Sequence, residues 1–310
     1  MTGLPKILVA SKTCRAVMGD ADAGAAFLRH GLEGDFGFLE EKRESLGVYD
    51  GIIIGTELIG EAELESMARV RVIHKFGVGV DNIDLAAAQQ RGVAVMSMPG
   101  INSGAVAEMA FGLMLAAARR ICEGDRCVRR GSWARIKGRS LSEKTLGIIG
   151  TGAIGRTLCA LVSGFNMKIL GFDLVENKNF TALGGRYTDL PGLLKEADFI
   201  SVHVPLTEET RGLLGRAELR LVKKTAVIVN AARGGIVDED ALLEFLAQNS
   251  GASAAFDVLE DESGRNNPFR ELDNAIVTPH IAAYDHDTLA RMFDTAVNNL
   301  GSFFGGSNHA

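Results

Sequence analysis

Several common protein signatures are missing from this chain. It has one tryptophan, Trp133, and four scattered cysteines, Cys14, Cys122, Cys127 and Cys159. No two cysteines stand at CxxC spacing, so neither a zinc site nor a disulfide framework is indicated, and no metal is expected. There is no block of basic residues, and the net charge of −6 is built from mixed signs. That argues against a nucleic-acid partner. The first residues lack the charged-then-apolar layout of a secretory leader. The longest apolar stretch, residues 104–118, is interrupted by Glu108 and is too short to span a bilayer. No membrane partner is expected, and a cytoplasmic location suits the unpaired cysteines. No internal repeat or low-complexity segment is visible.

What is present is an apolar share of 46% in 310 residues, enough for two medium domains or one large one. Short apolar, β-branched runs alternate with helical patterns. The first third reads as strands at 6–10, 52–54, 70–76 and 93–97, with helices at 21–30, 61–69 and 85–90 between them. Repeated βα units of this kind imply a parallel sheet covered on both faces. A helix over 103–120 follows, apolar around most of its circumference and so expected to be buried on more than one side. Residues 119–138 read as a polar stretch carrying Trp133, a candidate packing or dimer anchor.

The chain is organised around Thr145-Leu146-Gly147-Ile148-Ile149-Gly150-Thr151-Gly152-Ala153-Ile154-Gly155. A buried strand runs into Gly-x-Gly-x-x-Gly, and a helical pattern continues from Arg156. A second strand, residues 168–172, runs into Asp173, 18 residues past Gly155 and close to the distance of about 20 expected for an acid on the adenosine ribose. Gly150 would allow the tight turn, Gly152 the approach of a pyrophosphate, and Gly155 close packing of helix on strand. The helix start, at Ala153 and Ile154, would offer unpaired N–H groups to phosphate. Asp173 can accept from ribose hydroxyls and would repel a 2′-phosphate, which favours NAD over NADP. A structural glycine turn in some other α/β protein is the plain alternative.

Further units follow: a helix at 190–196, strands at 198–204, 226–231, 254–258 and 275–277, a helix at 238–248 and a last helix at 285–304. Ligands gather beyond the carboxyl ends of the strands in such sheets. The polar residues there are His203, Thr207, Arg233, Asp257, Glu262 and His280. A nicotinamide enzyme acting on an alcohol or carbonyl needs a cation to hold the substrate, a group titrating near neutrality and a partner for that group. Arg233, His280 and Glu262 are of those types. A surface arginine, a solvated loop acid and a core histidine would use the same letters.

The strings KFGVGVDNID (75–84), MPGINSGAVAEMAFGLMLA (98–116), HVPLTEETRGLL (203–214), NAARGGIVDEDAL (230–242), FDVLEDE (256–262) and TPHIAA (278–283) resemble the D-isomer-specific 2-hydroxyacid dehydrogenases. The resemblance runs from about residue 50 to 300 in the family's order. It implies an α/β protein of two doubly wound parallel-sheet domains with a cleft between them. A Rossmann-type NAD domain, residues 100–282, would be inserted in a flavodoxin-like substrate domain, residues 1–99 plus 283–310. It implies an NAD-dependent oxidoreductase that interconverts a D-2-hydroxy acid and its 2-oxo acid, and a homodimer.

By the same resemblance Arg233 binds the substrate carboxylate and carbonyl oxygen. His280 exchanges the proton, and Glu262 pairs with the imidazole and favours its charged form. The amides of Gly77, Val78 and Gly79 hold the substrate carboxylate, with Asn102 nearby. His203, Pro205, Thr207, Ala231 and Asp257 touch the cofactor, Asp257 by accepting from the carboxamide. Within the family the chain looks most like phosphoglycerate dehydrogenases. Those place arginine after the strand equivalent to 52–54, where this chain has Gly55-Thr56-Glu57. Lys75, Arg135 or Lys137 would have to compensate, and Ser263 replaces a usual proline. A glyoxylate/hydroxypyruvate reductase or another enzyme of non-phosphorylated hydroxy acids is therefore the first alternative. An NADH-sensing protein like the C-terminal-binding corepressors is the second. Formate dehydrogenase chemistry is disfavoured by Glu262.

Overall fold

The computed structural model describes residues 3–17, 20–263, 265 and 267–305. The chain divides into two compact units, Met1–Asn102 with Tyr284–Ala310, and Ser103–Ala283.

The first unit holds five strands: β1 (Lys6–Val9), β2 (Glu33–Phe36), β3 (Gly51–Ile54), β4 (Val72–Lys75) and β5 (Ala94–Met96). All pairings are parallel, in the order β2-β1-β3-β4-β5. The side-chain period of two splits each strand between two cores. Ile7, Val9, Ile53 and Val72 join Ala26, Phe27, Met292, Phe293, Ala296 and Leu300 on one face. Leu8, Ile52, Ile54 and Ile73 join Leu46, Leu64, Met67 and Ala88 on the other. Burial on both faces explains why these strands read as unbroken apolar runs. The helix His286–Gly305 belongs here. It covers one face and sets Asn299 Nδ2 3.2 Å from His74 Nε2. Each large apolar side chain so buried contributes about 1.5–3 kcal/mol.

Strand β2 was not expected. Its sequence, Glu-Gly-Asp-Phe, is polar and half-exposed, and it is a strand only because the edge of β1 offers it a ladder. The helix expected over 61–69 stops at Ser66, with Met67 outside helical geometry.

The second unit holds β6 (Thr145–Ile149), β7 (Lys168–Phe172), β8 (Arg186–Tyr187), β9 (Phe199–Val202), β10 (Val227–Asn230), β11 (Ser253–Phe256) and β12 (Ala275–Val277). The order is β12-β11-β10-β9-β6-β7-β8, again parallel throughout. From β6 the chain steps outward to β7 and β8, then returns to β9 on the other side of β6. The switch point of this doubly wound sheet therefore lies between β6 and β9. The helix Ser103–Ala118 buries Ala107, Ala110, Leu113, Met114 and Ala117 against β6, β10 and β11 side chains. Gly104, Glu108 and Gly112 remain exposed along it.

Local signals set the helix starts. Asp84, Asp189 and Asp238 each cap a helix, accepting from the N–H of Ala87, Gly192 and Ala241. Such a cap is worth about 1 kcal/mol. Part of the polar stretch after residue 119 is regular structure: Ile121–Arg129 is a helix. It leaves Ile121 and Val128 exposed, and Trp133 beyond it is 85% exposed.

Candidate active site

Because every strand of the second sheet is parallel, every strand ends at the same edge, and the loops there carry the expected residues. Gly150, Gly152, Ala153, Ile154 and Gly155 follow β6, and Asp173 follows β7. His203, Pro205 and Thr207 follow β9, Ala231 and Arg233 follow β10, Asp257 and Glu262 follow β11, and His280 follows β12. Gly77, Val78 and Gly79 follow β4 at the same edge of the first unit's sheet, and Asn102 closes that unit's first segment.

The glycine loop is built by close approach. Gly150 has φ 93, and a Cβ there would lie 2.6 Å from the His203 carbonyl oxygen, so the loops after β6 and β9 touch at the switch point. A Cβ on Gly155 would lie 2.2 Å from the Gly150 carbonyl oxygen. Around Gly152 the space is open within 4 Å. It is the N-cap of the helix Ala153–Leu161 and has no side chain to satisfy the first N–H groups. An open glycine, free amides and the positive end of a nine-residue helix suit the pyrophosphate of a dinucleotide. Asp173 lies one strand away. Its Oδ2 accepts from the Thr151 N–H at 2.7 Å and the Thr151 hydroxyl at 3.0 Å.

His203 is not a free ligand. Its Nε2 lies 2.8 Å from Ser201 Oγ, and burial pushes the imidazole down to about 4, so the ring is neutral. Thr207 and Thr210 close the next loop on themselves, through Thr210 Oγ1 on the Pro205 carbonyl and the Thr207 N–H on Thr210 Oγ1. Ala231 is buried with Val106 and Ala282.

Arg233 is placed by a residue that sequence reasoning missed. Asn230, 1% exposed, donates from Nδ2 to the Arg233 carbonyl at 2.8 Å and accepts the Ala232 N–H at 3.0 Å. An asparagine ending an otherwise apolar strand was the available signal. Gly234 then lets this loop lie on the next one, since a Cβ would sit 2.2 Å from the Leu259 carbonyl oxygen.

His280 and Glu262 meet directly. His280 Nδ1 lies 3.0 and 2.9 Å from the two carboxylate oxygens of Glu262. Glu262 engages Nδ1 and leaves the opposite ring nitrogen, Nε2, out of this pair. His280 is also one of four non-glycine residues with positive φ among those described, at 53°. Asp257 maintains that backbone. Only 1% exposed, it accepts from Thr278 Oγ1 at 2.6 Å, from the Ile281 N–H at 2.9 Å and from the Ala282 N–H at 2.7 Å. The oxygens that the resemblance gave to a carboxamide are thus engaged by the loop that carries His280. Among the described residues, no group of three or more His, Cys, Asp or Glu is placed to hold a metal ion. No described helix is long and apolar enough to cross a membrane.

A Gly-x-Gly-x-x-Gly turn at a Rossmann switch point, an acid after the second strand and a His–Glu pair at the far strands make one pattern. Residues 111–282 match the family profile described as the D-isomer specific 2-hydroxyacid dehydrogenase, NAD binding domain. The chain belongs to that family. Its members are NAD-dependent oxidoreductases, and the glycine cradle here fits that cofactor. A glyoxylate reductase of Korarchaeum cryptofilum is 39% identical over 256 residues, covering 80% of this chain and 77% of the relative. A D-3-phosphoglycerate dehydrogenase of Methanocaldococcus jannaschii is 43% identical over 250 residues, 79% of this chain but 48% of the relative. Among solved structures, the D-lactate dehydrogenase of Aquifex aeolicus complexed with NAD and lactic acid superposes with a TM-score of 0.85. It is 28% identical, covering 97% of this chain and 96% of that one.

In the first unit, the loop after β3 is locked from within. Glu57 Oε2 accepts the Gly55 N–H at 2.5 Å. Lys75, 8% exposed, donates to the Gly55 carbonyl and to Asn82 Oδ1, and Asn82 also donates to the Gly55 and Glu57 carbonyls. Lys75 was one candidate for a compensating phosphate ligand, and here its ammonium braces this loop.

Proposed function

We propose that this dehydrogenase interconverts an unphosphorylated D-2-hydroxy acid and its 2-oxo acid. The observation that carries the substrate class is Glu57 on the Gly55 amide. Order β2-β1-β3-β4-β5 puts the first sheet's switch point between β1 and β3, where ligands of such sheets gather. At that point the loop presents a carboxylate, and the buried ammonium of Lys75 beside it donates to the Gly55 carbonyl and to Asn82. A second negative charge on the substrate would meet repulsion there.

Bound NAD supplies the hydride acceptor or donor at the substrate's C2. The chain's residues do the rest. Arg233 holds the carboxylate and the C2 oxygen. His280 Nε2 gives a proton to that oxygen during reduction and removes it during oxidation. Glu262, on Nδ1, fixes the ring and stabilises the imidazolium that forms. The amides of Gly77, Val78 and Gly79 are suited to the carboxylate, and Thr207, Ala231 and the glycine loop to the cofactor. Trp133, Ile121 and Val128, exposed within one short stretch, are assigned to contact with a second copy of the chain.

One finding favours a phosphorylated substrate, the 43% identity to a D-3-phosphoglycerate dehydrogenase. NADH oxidation by the purified protein separates the two. Faster turnover of glyoxylate or hydroxypyruvate than of 3-phosphohydroxypyruvate is the expected result. The reverse order would overturn the proposal.

A further inference from the structure

Tyr187 takes no part in the chemistry above, yet its hydroxyl is built into the cofactor loop. It lies 2.7 Å from Thr151 Oγ1 and 2.8 Å from the Asn177 N–H. The direction of each proton follows from which groups can donate. The Asp173 carboxylate only accepts, so the Thr151 hydroxyl donates to Asp173 Oδ2. Thr151 Oγ1 must then accept from Tyr187. The Tyr187 oxygen in turn accepts from the Asn177 amide. The result is one directed chain, Asn177 N–H to Tyr187 Oη–H to Thr151 Oγ1–H to Asp173 Oδ2.

Two features make this chain matter. Thr151 is 1% exposed and bonds Asp173 Oδ2 through both its amide and its hydroxyl, so that oxygen is saturated. Among the described residues, Oδ1 has one long contact, 3.5 Å, to the Val175 N–H. Asp173 therefore offers a single oxygen, in a fixed orientation. The loop beyond it is not held by packing, because Leu174 and Val175 are 93% and 76% exposed. A bond from the Asn177 N–H to Tyr187 ties that loop to the sheet. The Tyr187 ring itself is held independently, against Phe180 with centroids 5.1 Å apart.

We infer that Tyr187, acting through Thr151, is a positioning residue for Asp173 and sets the enzyme's preference for NADH over NADPH. This rests on the reading of Asp173 as the ribose ligand. A carboxylate held in one rotamer can accept from the ribose and stands where a 2′-phosphate would be repelled. Released, it can swing away from an incoming phosphate, and discrimination falls.

Tyr187→Phe keeps the ring contact and removes the donor. Its NADH dissociation constant, read by fluorescence titration without substrate, should rise about tenfold, and the NADH/NADPH selectivity in kcat/KM should fall by a similar factor. The kcat at saturating NADH should stay within about twofold and the melting temperature should hold. Thr151→Val should reproduce the defect, and Thr151→Ser, which keeps the hydroxyl, should restore it. Wild-type affinity and selectivity in Tyr187→Phe would overturn the inference, as would a Thr151→Ser variant as defective as Thr151→Val. Asp173→Ala separates the two levels. If it weakens NADH while Tyr187→Phe does not, only the positioning role fails. If it changes nothing, the ribose reading fails and takes this inference with it.

Discussion

Asp257 grips the chain on both sides of His280. Its carbonyl accepts the His280 N–H at 2.8 Å, and its carboxylate takes the amides of the next two residues, Ile281 and Ala282. A histidine at positive φ is uncommon and costs energy that its surroundings must offset. Asp257 is the group that does so.

Asp257→Asn should therefore act on the loop before it acts on chemistry. One of the two oxygens becomes an amide that faces N–H groups or the Thr278 hydroxyl. Leaving a buried donor unsatisfied costs about 1–3 kcal/mol. We expect that loss in urea denaturation, together with a lower kcat. Unchanged stability would mean that the loop is held by other contacts.

His280→Ala should reduce kcat by a factor of about 10²–10⁴, the usual range for a positioned acid–base group, while NADH affinity stays close to wild type. Glu262→Gln can keep a hydrogen bond to Nδ1 but not the charge. It should lower kcat/KM by less than His280→Ala and move the pH–rate profile. Full activity in His280→Ala would remove it from proton transfer, and an unmoved profile in Glu262→Gln would leave Glu262 only a loop acid.

Glu57→Gln bears on substrate choice. Removing the charge should raise kcat/KM for 3-phosphohydroxypyruvate relative to hydroxypyruvate by about tenfold, equivalent to about 1.4 kcal/mol. A constant ratio would show that Glu57 does not face the substrate's distal end.

Stability should fall on the acid side. Burial pushes the imidazoles of His74 and His203 down to about 4, from 6.5. Between those values the unfolded chain binds protons that the native chain does not. The stability is complete above the unfolded value and is lost as the pH drops through that window. Each group contributes a slope of up to about 1.4 kcal/mol per pH unit. His74→Gln cannot titrate, so it should lose less stability than wild type between pH 7 and pH 5 in denaturant titrations. An equal loss would exonerate His74.

Trp133→Ala should weaken self-association. Sedimentation of the wild type as a dimer, and of the variant with a larger monomer fraction, is the expected pair. A monomeric wild type would end the assignment.

Legibility in the sequence followed burial. Strands covered on both faces, such as β1, β3 and β10, show as apolar runs with few interpretations. Strand β2 and the two-residue β8 owe their existence to a neighbouring edge, which no local pattern announces. The helix Ile121–Arg129 lies in a stretch legible only as polar. Within the candidate site, Gly150 and Asp173 were legible from the strand–glycine–helix spacing, and Glu262 and His280 as polar residues after the far strands in strings that resemble one family. Asn230 and Tyr187 were not, because their roles are hydrogen bonds to groups distant in the fold or to backbone. Asp257 was visible as a residue, but its loop partners Thr278, Ile281 and Ala282 could only be seen once the chain was folded.

The helix His286–Gly305 has a consequence for how the chain is made. Residues 6–75 present Ile7, Val9, Ile53 and Val72 on a face whose cover includes Met292, Phe293, Ala296 and Leu300. During synthesis that face waits for residues 286–305 to leave the ribosome, while the unit Ser103–Ala283 is contiguous and has all its residues earlier. The nascent chain thus carries an uncovered apolar surface while residues 76–285 are made, the kind of surface that chaperones bind. A ribosome stalled before residue 286 should hold a folded second unit and an unfinished first one.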